Sequence, residues 1–301
     1  MQYNSSGLVA SLIEDSLNIA RPVTIKHHGQ HWAGLSWGPA DKAPWIAFHG
    51  WLDNAASFAL LASKLPDQHI IAIDLTGHGK SDPRAGEGAY LLWDYVADIR
   101  SILMALNIKQ ASLLGHSLGA IVSGMYAGCY PENVERLILL DGLIPFTCSE
   151  QDTPQQLRKA LEQEPILVKS ARSYESVRQA VKVRQLQGKL SFEAAWLLTA
   201  YGLASISGGG FRWRYDPRLK LPSRWRLTEN QAGAFIQGIQ AKLLVLVAEQ
   251  GLFPDKLQEY VSRWIPVATC KQLPGHHHFH LEQETVERVA EEIRHWLSEL
   301  N

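Results

Sequence analysis

A serine flanked by small residues is the first candidate for chemistry in this sequence. The run Gly115-His116-Ser117-Leu118-Gly119 fits the pattern Gly-x-Ser-x-Gly. In that pattern the serine lies on a strained turn between a strand and a helix, and the glycines let the backbone pass without collision. The apolar run Ala111–Leu114 leads into the turn, and Ala120–Ala127 continues as a helix. Ser117 is therefore the predicted nucleophile, and the alternative is a Gly/Ser loop that packs a helix on a sheet.

Four histidines crowd the segment Gly275–Glu282, between a strand-like run and a helix-like run. A serine hydroxyl is a weak nucleophile at neutral pH unless a base removes its proton, so one of these imidazoles is the candidate base. The same cluster could bind a metal ion, but histidine and carboxylate ligands at suitable spacing are not evident elsewhere. We therefore expect base chemistry here and no metal. The four are His276, His277, His278 and His280.

A second backbone turn could stabilise negative charge. His49-Gly50-Trp51 directly follows the buried strand predicted over Pro44–His49. In enzymes with this serine turn, such a position supplies one N–H of the oxyanion hole, and the residue after the nucleophile supplies the other. This assigns the backbone amides of Trp51 and Leu118. A tight turn that needs Gly50 for its dihedral angles is the alternative, and both can hold.

The third member of a serine triad is a carboxylate that orients the histidine. Its usual place is the turn after the strand Lys242–Ala248, where this chain has Glu249 and then Gly251 instead of an aspartate. The end of the preceding core strand offers Asp141 in its place. We predict Asp141 as the acid, with Glu249 as the reserve. Asp141 could also be an N-cap or a turn-forming residue.

The elements that would position these residues alternate between short apolar runs and amphipathic helical segments, which predicts a mostly parallel sheet flanked by helices. The start differs, because Val23–His28 and His31–Trp37 flank a Gly29-Gln30 turn like an antiparallel hairpin. Asp53 could N-cap a helix. The remaining strands are expected at Ile70–Asp74, Ala111–His116, Val134–Asp141, Lys242–Ala248 and Thr269–Leu273, and helices at Ala55–Leu65, Leu91–Leu106, Ser117–Tyr130, Asp255–Trp264 and Glu284–Leu300.

The alternation stops after Asp141. From Ile144 to Gly238 no strand run compares with the others, and helical stretches such as Phe192–Tyr201 appear. We predict a helical cap over 144–238, inserted in an α/β core made of 1–143 and 239–301. The cap carries 14 Lys+Arg against 8 Asp+Glu, so +6, and the remainder is (29−14)−(30−8) = −7.

One segment of the predicted cap is strongly basic. Its six cations accompany a single acid, Asp216, and two tryptophans, Trp213 and Trp225. It could line the mouth of the active site and attract carboxylate or phosphate groups, because guanidinium pairs well with both. Alternatively these residues face solvent or bind the acidic core. The cations are Arg212, Arg214, Arg218, Lys220, Arg224 and Arg226.

Composition narrows the class of protein. The 301 residues are 46% hydrophobic and carry a net charge of −1, which indicates a large buried core and gives no hint of nucleic acid or an anionic membrane. Three scattered cysteines argue against a disulfide framework. The Gly-rich turn Asp74–Ser81 lacks the Walker spacing of a phosphate loop. No membrane span and no secretory signal over Met1–Leu12 are expected, so we predict a soluble, cytoplasmic protein. Its oligomeric state cannot be read from the sequence.

Taken together, these motifs resemble the α/β-hydrolase superfamily over essentially the whole chain. Within it the chain is similar to the serine hydrolase-like proteins, through His49-Gly50-Trp51-Leu52-Asp53-Asn54-Ala55, the Gly-His-Ser turn, Leu139-Leu140-Asp141 and Gly275-x-His-His-Phe-His-Leu. The absence of aspartate at Gly251 looks like a shared departure. In that pattern the catalytic histidine falls on His277. The resemblance implies a serine-type hydrolase without a cofactor.

The function expected from these residues is hydrolysis of a small-molecule ester or thioester through an acyl-Ser117 intermediate, as in carboxylesterases and thioesterases. His277 would be the base, and Asp141 would orient it. A dehalogenase or epoxide hydrolase of this fold would use an aspartate nucleophile, where this chain has serine. A lyase or C–C bond hydrolase on the same triad and a non-catalytic binding protein remain open.

Overall fold

An eight-stranded sheet forms the centre of the computed structural model, which describes residues 17, 19–86, 89–167 and 173–300. The segment 1–12, where we expect no secretory signal, lies outside those residues. The strands of the described residues, of which β7, β8 and β9 form a separate small sheet, are β1 (Arg21–His27), β2 (Gln30–Trp37), β3 (Trp45–Phe48), β4 (Ile70–Ile73), β5 (Ala111–His116), β6 (Val134–Leu140), β7 (Ser173–Tyr174), β8 (Leu203–Ser205), β9 (Phe211–Trp213), β10 (Lys242–Gln250) and β11 (Thr269–His276).

The strand order in the large sheet is β1-β2-β4-β3-β5-β6-β10-β11. β2 pairs antiparallel with β1 and with β4, and every other neighbouring pair is parallel. The predicted mostly parallel sheet is therefore confirmed. In such a sheet the carboxyl ends of the parallel strands share one edge, where ligands bind in open α/β folds. The residues that follow β3, β5, β6 and β11 include Trp51, Ser117, Leu118, Asp141 and His277, and the reserve acid Glu249 lies near the end of β10.

Helices cover both faces of the sheet, as predicted. The helices of the described residues, on the sheet and elsewhere, are α1 (Ala59–Ser63), α2 (Leu92–Ala105), α3 (Leu118–Cys129), α4 (Thr153–Leu167), α5 (Val177–Gly188), α6 (Phe192–Gly202), α7 (Glu229–Gln237), α8 (Pro254–Trp264) and α9 (Val286–Glu299). Within the described residues, none of them is both long enough and apolar enough to cross a bilayer.

The alternating side chains of the central strands fill two separate cores. In β10, Leu244 and Leu246 pack in one core, with α1 and α9, whereas Leu243, Val245 and Val247 pack in the other, with α2 and α3. All five are buried. A strand with both faces covered carries an uninterrupted apolar run, which is why the sequence predicted it well.

Two local predictions near the start of the chain are wrong. The hairpin is present, but its turn is His28-Gly29 rather than Gly29-Gln30, since His27 pairs with Gln30. Both turn residues have positive φ, 46° and 82°, as a tight two-residue hairpin turn requires. Asp53 is not the N-cap. Asn54 accepts a hydrogen bond from the N–H of Ala56 at 3.1 Å and caps a 3₁₀ turn over Ala55–Phe58 that precedes α1.

The segment 144–238 contains the helices α4 to α7 and also a small antiparallel sheet in the order β7-β9-β8. The sequence analysis overlooked this sheet, because strands of two or three residues have no detectable periodicity. The helix predicted over Phe192–Tyr201 is present as α6. The division of the chain into a cap and a two-part core stays a prediction.

The start of α3 packs against the end of β3 without room for a side chain. A Cβ on Gly119 would lie 1.8 Å from the carbonyl oxygen of Phe48. The N–H of Gly119 donates to the carbonyl of His49 at 3.0 Å, which holds the two backbones together. Close approach, and not an unusual dihedral angle, requires glycine at this position.

We therefore expect Gly119→Ala to lower the free energy of unfolding by more than about 2 kcal/mol, because backbone must move to admit the methyl group. The matched control is Gly124→Ala in the same helix, where a Cβ would have its nearest neighbour at 3.6 Å. It should stabilise by roughly 0.5–1 kcal/mol, because alanine favours a helix over glycine. Urea denaturation measures both, and equal free energies for the two variants would contradict this account of the packing.

Candidate active site

Ser117 lies at the junction between β5 and α3, with φ 52° and ψ −114°. A non-glycine residue with positive φ is strained, and such strain persists only where the surroundings impose it. The N–H of Ser117 donates to the carbonyl of Leu140 at 3.0 Å, which ties this turn to the end of β6. A Cβ on Gly142 would lie 2.7 Å from the carbonyl oxygen of Ser117. The backbone around the serine is thus held from both sides.

Asp141 and His277 are hydrogen-bonded, with 2.5 Å between Oδ2 of the carboxylate and Nδ1 of the imidazole. Asp141 is buried and follows β6, and His277 is partly buried and follows β11. An ionised carboxylate only accepts hydrogen bonds, so Nδ1 of His277 carries the hydrogen. In a neutral imidazole this leaves the lone pair on Nε2, which is the atom that would act as a base.

The carboxylate of Asp141 is fixed by backbone donors from the end of β10. The N–H of Ala248 donates to Oδ1 at 3.1 Å, and the N–H of Leu252 donates to Oδ2 at 3.4 Å. A Cβ on Gly251 would lie 2.4 Å from Oδ1 and 2.5 Å from Oδ2. The carboxylate therefore fills the space that a side chain at position 251 would need. Glu249, the reserve acid, is exposed, and its carboxylate is not the one bonded to His277.

The turn after β3 lies beside the serine turn, because the carbonyl of His49 accepts from Gly119. Within the described residues, the N–H groups of Trp51 and Leu118 have no carbonyl partner, and Leu118 is the first residue of α3. Gly50 does not have a positive φ. A Cβ there would lie 3.0 Å from both Oδ2 of Asp53 and Nδ1 of His116, so close packing, and not the turn's dihedral angles, requires glycine.

A buried polar network lies beneath this turn and centres on Asp53. The guanidinium of Arg184, from α5, donates to Oδ1 of Asp53. Nε2 of His278 lies 3.2 Å from Oδ2, and Nδ1 of His116 lies 3.7 Å from the same oxygen. Burial alone would raise the pKa of Asp53, but the neighbouring His278 and the Arg184 guanidinium hold it well below its usual range.

His116 links that network to the predicted base. Its Nε2–H donates to the carbonyl oxygen of His277 at 2.9 Å, which leaves the lone pair on Nδ1. Burial lowers the pKa of His116 to about 4, with repulsion from His277 and His278, although Asp53 opposes the shift. His116 is therefore neutral at neutral pH. It positions the backbone of His277 and does not compete with it as a base.

A metal ion is one further possibility for this network. Within the part of the chain that the structure describes, Asp53, His116 and His278 offer ligand atoms that all lie within 4.8 Å of one another. Arg184 and His278 already bond the two carboxylate oxygens of Asp53, so a cation is not needed to balance its charge. The donor set therefore fits a charge-balanced hydrogen-bonded network better than a metal centre.

The structure thus separates the clustered histidines. His276 is exposed, His277 contacts Asp141, His278 contacts Asp53, and Nε2 of His280 lies 2.9 Å from Oγ of Ser57 in the core. The sequence analysis missed the partner of Asp53. Arg184 is one of 14 cations between residues 144 and 238, and nothing in the sequence distinguishes it from the others.

Comparison with known proteins adds the family. Residues 44–285 match the α/β-hydrolase fold family. The chain is 32% identical over 265 residues to a serine hydrolase-like protein of Danio rerio, covering 82% of this chain and 80% of that protein. It is 33% identical over 281 residues to a probable serine hydrolase of Drosophila melanogaster, covering 87% of this chain and 83% of that protein.

The crystal structure of a hypothetical protein from Pseudomonas aeruginosa PAO1 matches with a TM-score of 0.83 and 41% identity, over 89% of this chain and 96% of that one. The names of the two relatives, together with the shared fold, support hydrolase activity. The chain belongs to the α/β-hydrolase fold family, and within it resembles the serine hydrolase-like proteins.

Proposed function

We propose that this protein hydrolyses an ester or thioester through an acyl intermediate on Ser117. The observation that carries the proposal is the hydrogen bond between Asp141 and His277, at the same sheet edge as the strained Ser117 turn. The bond assigns the hydrogen to Nδ1 of His277, so that Nε2 is free to accept a proton.

In the first half of the reaction, Nε2 of His277 takes the hydroxyl proton of Ser117 as Oγ attacks the carbonyl carbon. The tetrahedral intermediate collapses, the bond to the alcohol or thiol breaks, and His277 returns the proton to that leaving group. In the second half, a water molecule gives a proton to His277 and attacks the acyl carbon, which releases the acid and restores Ser117. Asp141 stabilises the imidazolium in both halves.

The negative charge that develops on the carbonyl oxygen needs donors that point at it before the reaction begins. The N–H groups of Trp51 and Leu118 are suited to this role, because they have no carbonyl partner within the described residues and follow β3 and Ser117. The hydrogen bond from Gly119 to His49 keeps the two turns at a fixed separation. No cofactor enters these steps.

Ser117→Ala should abolish labelling by a fluorophosphonate probe and reduce ester or thioester turnover by about 10⁶, because the hydroxyl is the attacking group. Gel fluorescence and a panel of acyl substrates measure the two effects. Unchanged labelling of the variant would refute the assignment of the nucleophile. Labelling of the wild-type protein without turnover of any ester would instead favour a lyase or C–C bond hydrolase, and no labelling would favour a binding protein.

His277→Ala should be as damaging to turnover as the serine substitution, because no other group would accept the hydroxyl proton. His276→Ala is the matched control, since His276 is adjacent and exposed, and it should lose less than about tenfold in turnover. Steady-state kinetics on a substrate found in the panel measures both. An active His277→Ala enzyme would move the base to another histidine.

Asp141→Asn should reduce turnover by about 10⁴, because the amide no longer selects the reactive tautomer of the imidazole. Glu249→Gln removes the same charge from the exposed reserve position and should change turnover little. Kinetic constants for the two variants test the assignment directly. A large loss with Glu249→Gln and a small one with Asp141→Asn would transfer the role of the acid to Glu249.

The close packing of Asp141 over Gly251 allows a second test of the acid, in which a carboxylate moved to position 251 restores activity. Gly251→Asp alone should impair the enzyme, because its Cβ would collide with the carboxylate of Asp141. Asp141→Gly combined with Gly251→Asp removes that collision and supplies a carboxylate from the neighbouring strand end. Glycine tolerates the φ of 46° at position 141. The double variant should recover part of the turnover that Asp141→Gly loses, and absence of recovery would show that the position of the carboxylate is not sufficient.

A further inference from the structure

A cavity of about 520 Å³ lies between the loop 77–83 and the segment 212–220. Four cationic side chains line it, Lys80 from the loop and Arg212, Arg214 and Lys220 from the segment. The single carboxylate in its wall is Asp216. Three of the six cations of the basic segment 212–226 therefore line a cavity, as one of the two interpretations of the sequence requires.

The carboxylates near this cavity are already neutralised or satisfied. Asp216 accepts hydrogen bonds from the guanidinium of Arg218 and, at 2.8 Å, from the hydroxyl of Tyr90. Asp74 is buried, and its oxygens accept from the N–H groups of Ala55 and Lys80 and from the hydroxyl of Tyr201. Asp216 is thus charge-paired with Arg218 and not with a lining cation, whereas Asp74 opposes in part the lowering of the pKa of Lys80.

The four lining cations themselves have no carboxylate partner at ion-pair distance within the described residues. Aromatic rings hold two of them, since Nζ of Lys80 lies 4.2 Å from the ring of Tyr201 and Nζ of Lys220 lies 5.1 Å from the ring of Tyr215. Burial and the neighbouring Arg214 guanidinium lower the pKa of Lys80, which indicates that like charges are crowded here. An anion in the cavity would relieve that repulsion.

The backbone that carries these cations is fixed by hydrogen bonds. Arg212 belongs to β9, which is the central strand of the small sheet. Nε of Arg214 donates to the carbonyl of Leu203 at 3.0 Å, and Asp216 caps the 3₁₀ turn Pro217–Lys220. A site whose charges are held in place before the ligand arrives loses little conformational entropy on binding.

The cavity wall also touches the predicted oxyanion turn. The indole Nε1–H of Trp51 donates to the carbonyl of Leu219 at 2.9 Å, and Leu219 is adjacent to the lining residue Lys220. The cavity wall and the turn that carries the Trp51 amide are therefore joined by a hydrogen bond. Arg218 does not take part, because its guanidinium bonds Asp216 and the carbonyl of Arg84.

We propose that this cavity binds a phosphate or pyrophosphate group on the part of the substrate remote from the scissile carbonyl. Four cations without a carboxylate at ion-pair distance in the described residues favour a ligand with at least two negative charges, and guanidinium groups bind phosphate oxygens in pairs. A monocarboxylate would leave most of the charge uncompensated. The inference rests on the proposed hydrolase function, but the binding site exists independently of the reaction.

The first test is binding, which needs no turnover. Isothermal titration of inorganic pyrophosphate into the Ser117→Ala protein should show saturable binding that weakens as sodium chloride rises from about 0.02 to about 0.2 M. Arg212→Gln with Lys220→Gln should weaken it by at least about tenfold, because two phosphate partners are lost. Neither side chain donates a hydrogen bond within the described structure, so the fold should be retained, and a thermal unfolding midpoint checks this.

The control is Arg178→Gln with Lys182→Gln, which removes the same charge from exposed positions on α5, outside the cavity. It should leave pyrophosphate binding unchanged. Equal weakening by both double variants, or no saturable binding by the parent protein at low salt, would overturn the proposal, because the interaction would then be general electrostatic attraction or absent.

The second test compares butyryl-coenzyme A with the butyryl thioester of N-acetylcysteamine, which share the acyl group and the thioester but differ in phosphate. We expect kcat/KM to favour the phosphorylated substrate by about tenfold or more at low salt, and to lose that preference in Arg212→Gln with Lys220→Gln. Equal kcat/KM values with good turnover would refute the phosphate site and leave the hydrolase intact. Pyrophosphate binding without turnover of either thioester would support the site and count against the hydrolase.

Discussion

The carboxylate of Asp141 joins the ends of β6, β10 and β11 through hydrogen bonds. It accepts from the backbone amides of Ala248, near the end of β10, and Leu252, just after it, and from His277, which follows β11. The arrangement exists only because Gly251 has no side chain, since a Cβ would lie within 2.5 Å of both oxygens. The end of β6 thus supplies the acid, and the turn after β10 supplies the space that its carboxylate fills. The candidate triad depends on this packing of the Asp141 carboxylate over Gly251.

The parallel register of the strands makes this packing possible. Leu140 is level with Leu246 in the β6–β10 pair, and Gln250 is level with His276 in the β10–β11 pair. Asp141, the Gly251 turn and His277 therefore emerge at the same edge. The serine turn reaches that edge through β5, whose His116 is level with Leu140. Four neighbouring strand ends bring together residues that are far apart in the sequence.

Sequence reasoning succeeded where a single physical cause dominates. The run Ala111–His116 forms a strand with the predicted bounds, and its adjacent Leu113 and Leu114 pack in the two opposite cores, because both faces of the strand are covered. It failed where several causes compete. Asp53 and Asn54 are equally good N-caps by type, and the choice between them was made by Arg184, which binds the carboxylate of Asp53 from 131 residues away.

The same contrast holds at the site. The strained turn at Ser117 was predictable because the pattern requires glycines at fixed offsets, and these are local in sequence. Asp141 could be proposed from the missing aspartate at position 251, but the reason for glycine there is the packing of the Asp141 carboxylate, which is not local in sequence. The small sheet of β7, β8 and β9 could not be predicted, because its strands are too short for a period to develop and are held by pairing across distant residues.

The buried pair of Arg184 and Asp53 has a consequence for how this chain can change. Arg184 lies on α5, between residues 144 and 238, whereas Asp53 follows β3 and contacts His278 beside the predicted base. Removing the guanidinium would leave a buried carboxylate without its cation, which is far more costly than losing an exposed ion pair. The segment that carries α5 therefore cannot be replaced as an independent module. A graft from a relative succeeds only if it brings an equivalent cation to Asp53.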